Sequence, residues 1–67
     1  MIQVGAKVHV PMPYRAWLDA GGGIVVVVVV APDGRRLHAR LTAQGAESDA
    51  LRLIARDDNR VKRLEAL

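Results

Sequence analysis

The chain has no cysteine and no phenylalanine, and only one tryptophan and one tyrosine. Without cysteine it forms neither a disulfide nor a thiolate metal site. Its two histidines are too few to build a structural zinc site on their own. No apolar stretch approaches the roughly 20 residues that cross a bilayer; the longest covers residues 24–31. The first residues carry no basic start followed by a long apolar segment, so a signal peptide is not expected. These absences point to a soluble, cytoplasmic protein with no cofactor, no metal and no membrane partner.

What remains is a single domain, 1–67, with one core. A chain of this length buries only about 60% of the surface its unfolded form exposes. With disulfides and metals set aside, self-association is the expected reinforcement. The formal net charge is +3, and arginine greatly outnumbers lysine. GC-rich codons alone favour such a bias alongside abundant Ala, Val, Gly, Asp and Leu, and suggest a bacterial, phage or plasmid source. The pI of about 10.2 therefore permits an acidic partner without demanding one.

Residues 2–10 alternate, with Ile2, Val4, Ala6, Val8 and Val10 on one side and Gln3, Lys7 and His9 on the other. That is the pattern of a half-buried strand, ended by Pro11 and Pro13, which cannot donate to a sheet ladder. Pro13 suits a first helical turn, and Tyr14, Trp17 and Leu18 fall at i, i+3 and i+4. This spacing predicts a short helix near 14–20 capped by Gly21, with Gly22 and Gly23 as slack. The order is wrong for a phosphate loop, which leaves a strand and opens a helix.

Ile24 and Val25–Val30 carry the strongest local signal, since β-branched side chains favour a pleated sheet. Ala31-Pro32-Asp33-Gly34 suits a type I turn closed by a glycine bulge. Beyond it Arg36, His38, Arg40 and Thr42 alternate with Leu37, Ala39 and Leu41, a second strand near 35–42. Glu47, Ser48 and Asp49 open a helix from about residue 47. Asp57-Asp58-Asn59 is expected to break it. Residues 60–67 then form either a further helix, which propensity favours, or the last strand of a β-α-β-β-α-β order. The expected class is α+β: a small antiparallel or mixed sheet with strands near 2–10, 24–30 and 35–42, and its helices on one face.

Two surfaces stand out. The valine strand is apolar on both faces, and short helices cover only one, so either Arg and Lys stems of neighbouring strands fold over the other in a monomer or, the favoured reading, a second copy meets Val25, Val27 and Val29. Lys7 and His9 share one strand face, Arg36, His38 and Arg40 share another, and Arg52, Arg56, Arg60 and Arg63 form a helical stripe. Together they compose a candidate surface for nucleic acid or another polyanion. The lack of free base-stacking aromatics weighs against it, because there is no Phe and Tyr14 and Trp17 read as core.

The expected function is a small non-enzymatic binding module that self-associates through its valine-rich sheet and contacts a polyanion. The alternative is a structural or protein-interaction domain, natural or designed, whose arginines serve solubility. An enzyme using His9 or His38 comes third. No carboxylate stands at a diagnostic spacing from either histidine, and neither a zincin motif nor a nucleophile elbow is present, so no catalytic residue is assigned.

Overall fold

The structure, a computed structural model, describes residues 4–67. Four strands form an antiparallel meander: β1 (Lys7–Val8), β2 (Arg15–Gly21), β3 (Ile24–Val30) and β4 (Arg36–Arg40), in spatial order β1-β2-β3-β4. One helix, α1 (Ala46–Glu65), follows and packs on one face of the sheet. The class is α+β, with the three expected strands, the first of them shorter, and the C-terminal helix in place.

The short helix expected near 14–20 is absent, for residues 15–20 belong to strand β2. The cause lies in the glycines that follow. Gly22 and Gly23 have φ of 60° and 79°, the two left-handed residues that a type I′ hairpin turn requires. They are a tight turn, not slack after a helix cap. The turn sets Gly21 opposite Ile24 and zips β2 along β3 to the pair Arg15 and Val30. A two-turn helix has little stability of its own, whereas β3 supplies a full ladder of partners.

The turn between β3 and β4 has the expected form. Gly34 N–H donates to the Ala31 carbonyl at 2.9 Å, and Ala31 N–H to that of Arg35 at 2.8 Å. Gly34 sits at φ 91°, the left-handed position of a glycine bulge. The first strand is shorter than its alternation suggests. Its pairing continues through Gly5 and Ala6, whose backbones bond Leu18 at 2.6 and 3.0 Å. Ile2 and Gln3, the start of the expected strand, lie outside the described residues. After Val10 the chain turns, Tyr14 N–H reaching the Pro11 carbonyl at 3.1 Å, with Met12–Pro13 in cis.

The helix runs unbroken through Asp57-Asp58-Asn59, so residues 60–65 extend the first helix and do not begin a second. Asp58 bonds Lys62 one turn on at 3.2 Å, a pairing that supports the helix. Asp57 does face inward, as helical spacing requires, but it is neutralised there. Its carboxylate accepts two bonds from the Arg35 guanidinium, at 2.7 and 3.2 Å.

Alternation along β2 and β3 divides the apolar residues. Ala16, Leu18, Val27 and Val29 join Ala50 of α1 in the core, flanked by Val8, Val10, Val25, Leu37, Leu41, Leu53 and Ile54. The other valines, Val26, Val28 and Val30, take the opposite face by strand parity.

Candidate functional site: the open face of the sheet

The helix covers one side of the sheet; the other carries the basic strand residues. Three cross-strand rows compose it. Lys7, Trp17, Val28 and His38 lie in one row. Arg15, Val30 and Arg36 form the next, and Asp19, Val26 and Arg40 the third. Neighbouring strands stand about 4.8 Å apart, so these side chains share one continuous surface. Lys7, Arg15, Arg36, His38 and Arg40 are exposed, and Asp19 is the acidic member of the face.

Trp17 lies at its middle, half-buried. The Arg36 guanidinium carbon sits 5.8 Å from the ring centroid, within range of a cation–π contact. Val28, between Trp17 and His38 in its row, is only 2% exposed although it faces away from the helix. The far face of the valine strand is thus covered within one chain at its centre. Val25, Val27 and Val29, expected at an interface between copies, instead lie beneath α1, with Val27 and Val29 wholly buried.

Beside this face, an open groove of about 530 Å³ runs along β1 and the following loop. It is lined among others by Lys7, His9, Met12, Tyr14, Arg15 and Trp17. Met12 is 89% exposed there.

The nine basic residues singled out from sequence divide by location. Lys7, His9, Arg36, His38 and Arg40 are exposed on or beside the open sheet face. The helical stripe belongs to the opposite layer, although Arg40, Arg52 and Arg56 meet in a small cleft of about 80 Å³ at the β4 edge. Arg52 is engaged locally with the side chain of Gln44 and, at 3.8 Å, with Asp49. Arg60 and Arg63 continue along the helix, exposed. Arg15 and Trp17 were missed, and the alternation Arg15, Trp17, Asp19 against Ala16, Leu18, Ala20 was the signal for them.

His9 and His38, the two candidates for an enzymatic role, lie near opposite edges of the sheet. Two strands separate them, roughly 14 Å at ordinary strand spacing. They cannot act on one proton. Among the described residues no group of three or more His, Asp or Glu is placed to hold a metal ion, and no helix is long and apolar enough to cross a membrane.

The buried carboxylates serve the scaffold. Asp49 accepts from the Thr42 backbone N–H and hydroxyl, both at 2.7 Å. Those bonds, the backbone one foremost, hold its carboxyl below the usual range. Tyr14 donates its hydroxyl to Asp57 at 3.4 Å; burial first, then the Asp57 charge, pushes the phenol up and keeps its proton in place. The bonds that Arg35 donates to Asp57 and Asp33 raise its guanidinium, a cation bound into the fold and withdrawn from the open face.

The architecture is a small α+β domain, a four-stranded antiparallel sheet backed by one helix. Comparison with protein-family models, with curated proteins and with solved structures found no match.

Proposed function

We propose that this domain is a non-enzymatic binding module whose open sheet face takes a nucleic acid. One observation carries the reading: Lys7, Arg15, Arg36 and Arg40 share with Trp17 the sheet face that the helix leaves uncovered, and Arg36 approaches its ring. Guanidinium groups offer planar forks that match phosphate oxygens. Asp19 reduces the positive field only at one corner. Self-association is not part of this reading, because the valines that called for it are buried in the single chain.

Binding to DNA and RNA oligonucleotides, titrated against salt, tests it. Each neutralised phosphate contributes about −0.7 to −0.9 to the log–log slope. Contact through Lys7, Arg15, Arg36 and Arg40 therefore gives a slope of about −3. The double substitution Arg15→Glu with Arg40→Glu lowers affinity at least about ten-fold at low salt. No binding at low salt, or affinity indifferent to salt and to this substitution, overturns the proposal.

A further inference from the structure

Cations alone do not distinguish a duplex from a single strand, but the surroundings of Trp17 do. We infer that the preferred ligand is single-stranded nucleic acid, with one base stacked on Trp17 in the groove beside β1. This rests on the nucleic-acid reading above and goes beyond it by naming the strand state and the contact.

The groove joins the parts that such a ligand requires. Trp17 supplies an aromatic surface, and the exposed Met12 offers a soft apolar rim. Lys7 and Arg15 line the same groove and carry charge for the flanking phosphates. Arg36, which approaches the Trp17 ring, does not line the groove. The guanidinium that approaches the indole is thus not one of the groove's own cations. A base in a duplex is already stacked between its neighbours and cannot enter such a groove, whereas an unpaired base presents its π-face freely. The volume of about 530 Å³ exceeds that of one base and leaves room for its sugar.

Trp17 is the only tryptophan in the chain, so selectively excited tryptophan emission reports on the surroundings of this one ring. The probes are a single-stranded DNA 12-mer, the same sequence as a duplex, and inorganic polyphosphate of matched charge. The 12-mer is expected to quench Trp17 strongly, while polyphosphate binds and leaves the emission nearly unchanged. Read by the anisotropy of a labelled 12-mer, Trp17→Leu weakens binding about ten-fold or more, and Trp17→Phe, which keeps a ring, recovers most of the loss. Neither variant changes affinity for polyphosphate, which separates lost stacking from lost folding. Equal binding of single strand, duplex and polyphosphate without quenching overturns the inference and leaves the anion-binding face standing. Failure of all three probes to bind at low salt overturns both.

Discussion

Arg35 and Asp57 are unequal partners, although they share two hydrogen bonds. The Asp57 side chain is 3% exposed and that of Arg35 34%. Removing Arg35 strands a buried carboxylate with only the Tyr14 hydroxyl for company. Removing Asp57 leaves a guanidinium that still reaches water and Asp33. Arg35→Ala is therefore expected to destabilise the fold more than Asp57→Ala, whose cost is about 1–2 kcal/mol. Urea denaturation of both variants checks the order. Asp49 carries a pH dependence of known sign. Its folded pKa lies below the unfolded value, so its contribution is present above the unfolded pKa and is lost as pH falls through the folded one. Stability should decline from about pH 4 downward. Asp49→Asn, less stable at neutral pH, should lose less between pH 7 and pH 3 than the parent; an equal loss would show that other carboxylates dominate acid unfolding.

Among the elements, the β2–β3 hairpin depends most on its turn. Cβ atoms at Gly22 and Gly23 would meet nothing within 4 Å, so any penalty there comes from backbone conformation alone. Gly22→Ala should cost about 1 kcal/mol, while Gly22→Asn, a residue that tolerates positive φ, should be close to neutral. Thermal denaturation of the pair isolates that term from packing. The same turn explains why residues 14–20 were illegible. Tyr14, Trp17 and Leu18 satisfy a helical stripe, while Ala16, Leu18 and Ala20 satisfy a strand, and a segment so short matches both. The two patterns make opposite assignments of Trp17, to the core or to the outer face. Only pairing with β3 chooses between them. In β4 there was no such conflict, because polar and apolar residues alternate strictly and the Pro-Asp-Gly turn before it sets the register.

For the whole molecule the decisive fact is that one helix covers one sheet face. Arg60 and Arg63 lie in the helical layer, away from Lys7 and Arg15. Arg60→Glu with Arg63→Glu should change nucleic-acid affinity by no more than about three-fold in 0.15 M salt, where exposed charges beyond about 8 Å are screened. Side-by-side titration against Arg15→Glu with Arg40→Glu measures which layer binds. Coverage of Val28 within the chain also predicts a monomer by sedimentation in that salt, with no dissociation step on dilution. Local chemistry was enough to place the valine strand, the turn at 31–34 and the amphipathic helix, since each rests on β-branching, turn residues or periodicity within a few positions. It was not enough to say which valines lie under the helix, whether the helix survives Asp57, or where Trp17 points. Those outcomes depend on contacts such as Tyr14 with Asp57, 43 residues apart, and on a strand pairing that overrides a local stripe.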